Sequence, residues 1–322
     1  MDSLTQATLG AAVGEAVLGK KIGYKASIIG AIGGTLPDLD VLVSPFLSQL
    51  DRLSWHRGYS HSLVVCLALS LLLYFLSRRW KWLKPVNGFT IWMTWFLLFF
   101  THVLLDSMTS YGTQLLLPFS DWRVSWDSIN VVDPVYTVPL LIGLAMSWWL
   151  RNKGHMWQWP NYIGLLLSSI YLVFTLAHKE IIEERIYEQL NEQNIEYDQL
   201  LTVPVKVGNI IWYGVARNSD TLHLGKYNSV YDNKIEFHSF PINAHLLDKV
   251  DAHTRERLIW FSKEFFTVAQ KDGVIRLYNM QCDMQGIREY GDYKAPTAFY
   301  FQLTPSEEGY DLSIGMHKKE EE

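Results

Sequence analysis

The sequence predicts an α-helical integral membrane bundle, with four longer spans and an N-terminal helical hairpin, followed by a soluble α+β domain. Three observations predict it. Residues 1–177 carry long apolar runs with only 12 Lys/Arg and 9 Asp/Glu, while residues 178–322 carry 16 Lys/Arg and 24 Asp/Glu and no run able to span a bilayer. Trp80, Trp82, Trp148, Trp149, Trp157 and Trp159 flank the apolar runs, where interfacial anchors belong. From Val203 onward the chain turns to short runs of strand-forming residues. The implied division is a membrane domain over 1–177, a charged helical stalk over 178–202, and an α+β domain over 203–322. A large soluble helical core is the alternative, and the tryptophan-rich ends argue against it.

The elements follow in order. Leu4–Leu18 and Ile22–Leu36 are apolar and joined by Gly19-Lys20-Lys21. Their small residues, including Gly10, Gly14, Gly30 and Gly34, let two helices approach closely. Glu15 is costly against lipid, so it faces the bundle or the headgroups. Four span candidates follow: Ser62–Ser77, Phe89–Leu105, Val135–Leu150 and Tyr162–Ala177, each slightly short of the usual length of about 20 residues. Asp106–Asp133 is a long connection without periodicity, of the kind more often functional than filler. In Glu180–Leu200, Ile181, Ile182, Ile186, Leu190 and Ile195 recur at helical spacing among glutamates. Val205–Val215, Thr221–Tyr231, Ile235–Phe240, Val274–Tyr278 and Ala298–Leu303 read as strands, and His245–Phe266 as one or two helices.

Basic residues set the topology. Lys20, Lys21, Lys25, Arg78, Arg79, Lys81, Lys84, Arg151 and Lys153 are nine of the twelve in the membrane part, and alternation of the spans places them on one side, which should be cytoplasmic. Eight of its nine acids, all but Glu15, fall on the other side, together with His56, His61, His102 and the soluble domain. No cleavable signal peptide is visible, because the first positive charges follow the apolar stretch. Cys66 and Cys282 are too few for a disulfide framework. The net charge of −5 gives no electrostatic case for nucleic-acid binding.

The chemistry sits on that second side. His102 and Asp106 are four apart, so on a helix they share a face and can reach one ion or one water. His56-Arg57-Gly58-Tyr59-Ser60-His61 and Pro37-Asp38-Leu39-Asp40 adjoin other apolar segments. Each cluster alone has a plainer reading: helix-end histidines cap carbonyls, and Asp38 and Asp40 can cap a helix near Ser44. Together, Asp38, Asp40, His56, His61, His102 and Asp106 form the donor set of a hydrolytic zinc or manganese centre. Asp38, His61, Asp106 and Arg57 are the candidate catalytic residues. Arg57 either orients an anionic group through its planar fork or contacts headgroups or Asp51. Asp127 and Asp133 either support the ligands from behind or serve as turn and cap residues. The other histidines, including His155 and His317, lack ligand spacing.

Met1-Asp2-Ser3-Leu4-Thr5-Gln6, Pro37-Asp38-Leu39-Asp40, the His56–Ser62 run and His102-x-x-x-Asp106 resemble the membrane-bound, metal-dependent hydrolase family, also described as LexA-binding, inner-membrane-associated hydrolases. The resemblance covers about the first 180 residues and implies a helical membrane protein with metal-dependent hydrolase activity. The His-x-x-x-Asp element is similar to one in zinc-dependent phospholipases C, which points by analogy to a phosphoester or lipid substrate. Many members carry histidine where this chain has Gln6, so either that position is no ligand or this chain has one ligand fewer. A cytosol-facing site would agree better with the LexA-related description. Against the hydrolase stands a membrane scaffold with a structural metal, its soluble domain binding an unknown protein partner. A metal transporter would need ligands near the bilayer midplane.

Overall fold

The computed structural model describes residues 1–316 apart from 155, 206, 282, 283, 291, 292, 298 and 308, with residues 284–290, 293–297 and 316 described as backbone. His155, Cys282 and His317, given no role above, lie outside the described residues, as does the first residue of the expected strand Ala298–Leu303. The chain forms two compact units, Met1–Pro45 with Trp55–Ala177, and Phe46–Ser54 with His178–Glu322.

In the first unit, α1 (Ser3–Ile22) starts where the Asp2 carboxylate accepts from Thr5 N–H. It continues through Gly19-Lys20-Lys21, expected as the turn, and stops at Gly23, whose φ of 70° suits glycine. α2 (Lys25–Thr35) packs tightly on α1. A Cβ on Gly10 would stand 2.3 Å from the Gly30 carbonyl oxygen, and one on Gly30 2.2 Å from that of Gly10, so only hydrogen fits at either. Pro37 brings no N–H to a continuing helix, and Pro37–Phe46 tightens into a 3₁₀ helix. Along the chain then come α3 (Gln49–Trp55), which falls almost wholly in the second unit, a 3₁₀ turn at Tyr59–His61, α4 (Leu63–Ser77), α5 (Gly88–Ser107), α6 (Pro134–Leu150) and α7 (Trp159–Glu192), whose turns from His178 belong to the second unit. Residues 108–133 are largely irregular, with one bridge between Thr113 and Val124. Leu18, Leu98, Leu105, Ile129 and Leu140 are among the fully buried core. Glu15 faces the bundle, where Arg151 and Ser27 bond its carboxylate.

Helices stand at all four expected spans, but their lengths differ. Among the described residues two helices, α5 and α7, are long and apolar enough to cross a membrane. The number rises to as many as four if two bent pairs count as one span each: Lys25–Thr35 with Pro37–Phe46, bent by 43°, and Gln49–His61 with Leu63–Ser77, bent by 55°. With 15 residues, α4 is only about 22 Å long against a hydrocarbon core of about 30 Å, and 17-residue α6 is also short.

The second unit holds the later part of α7 and two four-stranded antiparallel sheets. One has the order β1-β2-β3-β4, formed by Gln199–Pro204, Ile211–Arg217, Thr221–Asn228 and Phe237–Pro241. Ile182, Ile186 and Leu190 of α7 pack against Trp212, Ala216, Tyr227 and Ile235. In the other, the strand numbering runs β5 (Phe266–Lys271), β6 (Val274–Asn279), β9 (Phe299–Ser306) and β10 (Gly309–Met316), and the order is β10-β9-β6-β5. β7 (Met284–Tyr290) and β8 (Tyr293–Thr297) form a separate hairpin. Between the sheets lie a 3₁₀ helix at Ala244–Lys249 and α8 (Ala252–Phe261). Asp251 caps α8 by accepting from Thr254 N–H, which holds its carboxyl below the usual range. The stalk is no separate element: it is the last turns of α7, and it ends at Glu192 rather than Leu200.

Candidate metal centre

Four chain segments converge where apolar helices end. Asp38 follows the end of α2, and His61 precedes α4. His102 and Asp106 occupy one face of the last turns of α5. One donor atom from each lies within 4.8 Å of all the others. His61 Nε2 and His102 Nε2 are 3.2 Å apart, and each is 3.5 Å from Asp38 Oδ1. Asp106 Oδ2 is 3.2 Å from His61 Nε2 and 3.7 Å from His102 Nε2. His61, His102 and Asp106 are fully buried, whereas the Asp38 side chain is 21% exposed and marks the accessible side.

The partners of the two imidazoles decide what those nitrogens can do. His102 Nδ1 is 2.6 Å from the Gly34 carbonyl oxygen, which can only accept, so Nδ1 carries the proton. The Ser60 hydroxyl donates to Asp40 Oδ2 at 2.7 Å, which leaves its oxygen to accept from His61 Nδ1 at 2.8 Å. In their neutral forms both rings therefore turn Nε2 lone pairs toward the same point. Two lone pairs at 3.2 Å repel unless a cation lies between them, and two carboxylate oxygens face that point as well. Asp106 Oδ2, fully buried, accepts no well-directed hydrogen bond among the described residues, though the Arg57 guanidinium lies beside it, so it keeps a lone pair free for an ion. The four residues thus fit a metal ion.

Around them stands a supporting ring. Asp40 does not join the four donors. Its carboxylate takes His56 Nδ1 at 2.9 Å, Arg57 N–H at 3.1 Å and the Ser60 hydroxyl, and so braces the His61 segment. His56 stays outside too, its ring centroid 6.2 Å from that of His61. Arg57 is buried and turns inward to Asp106 rather than to Asp51, which bonds Ser48. Arg57 Nε is 3.1 Å from Asp106 Oδ2, Nη1 donates to Thr109 Oγ1 at 2.8 Å, and the guanidinium stacks 4.9 Å from the Tyr111 ring centre. Gln6 is fully buried and touches the site: its amide donates to Asp106 Oδ1 at 2.9 Å and to the His102 carbonyl at 3.2 Å. The Met1 amino group bonds the same Asp106 oxygen. Asp133 caps α6 through Val135 N–H and accepts from the Tyr171 hydroxyl, and Asp127 accepts from Ser125, so both serve turns and caps.

Sequence reasoning passed over Ser60, Thr109 and the Gly34 carbonyl as members of this network. Ser60 had a signal, since it stands between His56 and His61 in the run that drew notice. The carbonyl had none, because a backbone acceptor leaves no mark in residue identity.

The chain is similar to the inner membrane protein YbcI of Escherichia coli strain K12, 30% identical over 178 residues that cover 52% of this chain and 94% of that protein. It is also similar to the uncharacterized protein YfhP of Bacillus subtilis strain 168, 25% identical over 198 residues. That match covers 59% of each chain, so this chain spans little more than half of YfhP. No solved structure matches. The family described as YdjM inner membrane protein matches residues 1–182, a stretch that contains both helix pairs, the four converging donors and every residue that braces them. The chain belongs to the YdjM inner membrane protein family.

Proposed function

We propose that the protein is a membrane-embedded, metal-dependent hydrolase acting on a phosphoester or lipid headgroup. The convergence of two imidazole lone pairs and two carboxylate oxygens on one point carries the reading. Four donors about 2.1 Å from one ion at tetrahedral corners stand about 3.4 Å apart, close to the separations of 3.2–3.7 Å here, so zinc suits the site better than an octahedral ion. A bound ion of this kind supplies Lewis acidity and lowers the pKa of a coordinated water toward neutrality. Asp38, the exposed donor, lies where a substrate would enter. Arg57 and Gln6 hold Asp106 in place, and Ser60 with Asp40 holds His61.

One observation favours a second reading. Four protein donors, three of them fully buried, are the number that a closed structural zinc site uses. The protein would then be a scaffold whose second unit binds a partner. Metal analysis of the purified protein beside His102→Ala, followed by assays on phospholipids and phosphodiesters, separates the two. Stoichiometric metal that disappears in the variant, with turnover lost in parallel, supports the hydrolase. Metal bound without turnover on any of these substrates supports the scaffold, and absence of metal from the wild type removes both.

The proposed membrane arrangement has four crossings, α4 (continued through its bend), α5, α6 and α7, with the α1–α2 hairpin packed against them. The basic segments Arg78–Lys84 and Arg151–Lys153 are proposed to be cytoplasmic, with the donor cluster and residues 178–322 outside.

A further inference from the structure

The second unit has an apolar end, and α7 tells which way it points. The apolar part of α7 gives way at His178 to the charged turns that join this unit. From there β2 runs along the helix in the same direction. The Trp212 ring meets that of His178 at 5.8 Å, and Gly214 lies against Ile186, where a Cβ would come within 2.7 Å of its side chain. The β3–β4 connection follows the same axis, with Asn233 accepting from Arg185 and Ile235 N–H donating to Gln189. The start of β2 therefore lies level with the point where the apolar helix stops. The β2–β3 hairpin at 218–220 lies at the opposite end, about 23 Å away for seven extended residues.

Two connections meet at the near end. Ser229 N–H and its hydroxyl both bond the Ile210 carbonyl, which ties the β3–β4 turn to the β1–β2 turn. The apolar side chains of these turns point outward: Val207 is 46%, Ile210 42%, Val230 62% and Tyr231 80% exposed. The far hairpin carries Asn218, Ser219 and Asp220 instead. Four large apolar residues on two braced turns are expensive in water, at about 25 cal/mol per Å². They sit at the level where a membrane-spanning helix must leave the hydrocarbon, and a tyrosine with aliphatic neighbours is the composition that partitions into the headgroup layer.

We propose that these two turns dip into the bilayer interface and seat the second unit on the lipid surface beside α7. The occupant is lipid, because the apolar end coincides with the end of the apolar helix. This inference is independent of the hydrolase reading, since it uses none of the metal-centre residues.

The test uses the full chain with Cys66 and Cys282 replaced by serine, reconstituted into vesicles of phosphatidylethanolamine and phosphatidylglycerol. Single cysteines at Tyr231, Val230 and Ser219, all exposed, carry an environment-sensitive fluorophore. Nitroxide attached to lipid near the headgroup should quench the probes at 230 and 231 several-fold more than the probe at 219. Iodide on both sides of the vesicle should show the reverse order. Equal quenching at the two ends, or iodide quenching at 230 and 231 that matches 219, overturns the proposal, and the latter result would leave the turns open to a protein partner.

Discussion

At the residue scale the two histidines reach one point through unlike supports. His102 relies on a carbonyl of another helix, and His61 on a hydroxyl that is itself held by Asp40. Removing a hydrogen-bond partner behind a ligand typically weakens metal binding about 10–100-fold. Ser60→Ala should show a loss of that size in a metal titration, with thermal unfolding nearly unchanged. An unaltered affinity would mean that Ser60 does not set the ring of His61. Arg57→Lys keeps the charge but loses the fork between Asp106 and Thr109 and the stacking on Tyr111. Its expected cost is about 1.5–3 kcal/mol of stability by denaturant unfolding, the worth of a charged hydrogen bond. An unchanged midpoint would show that the guanidinium contacts are incidental. The pair His102 and Asp106 was legible in the sequence because a helix brings positions four apart onto one face. The inward turn of Arg57 was not, since its partners Thr109 and Tyr111 lie some fifty residues away.

At the element scale the hairpin of α1 and α2 holds more than its own packing. α1 carries Gln6 to Asp106, and α2 presents Gly34 to His102. Gly10→Val should force the helices apart at Gly30, at a cost of about 1–3 kcal/mol or more, and lower metal occupancy without touching a ligand. Retained occupancy in a destabilised variant would uncouple the hairpin from the site. Small-residue spacing announced this hairpin well. Its turn was misread because Lys20 and Lys21 look like a loop, whereas lysines are welcome in the last turn of a helix, where they face its negative end. The stalk was read too long because Ile195 keeps the helical period of α7. Asn194, at a φ of 54°, breaks the helix before it, and β1 begins at Gln199. β10 alternates Tyr310, Leu312 and Ile314, but the run is short and its neighbours are charged, so composition does not single it out. Among the described residues β7 and β8 form a two-stranded sheet of their own, and little in their residues separates them from loop.

At the scale of the whole molecule, this is an inner membrane family protein with a helical first unit and a second unit of two β-sheets. The division was legible because lipid and water demand different compositions. The number of crossings was not, because bent pairs let short helices stand in for long ones. A cysteine at Ser219, in the background without Cys66 and Cys282, should react with a membrane-impermeant thiol reagent in intact cells. Reaction only after lysis would reverse the proposed sidedness. One further consequence follows from where the four donors fall along the chain. All lie between Asp38 and Asp106, so all four have been synthesised once the chain reaches Asp106. These four side chains are thus made before any residue of the β-sheets, whose first strand begins at Gln199. YbcI, nearly all of which aligns with a 178-residue stretch, is a relative that does without most of the remainder.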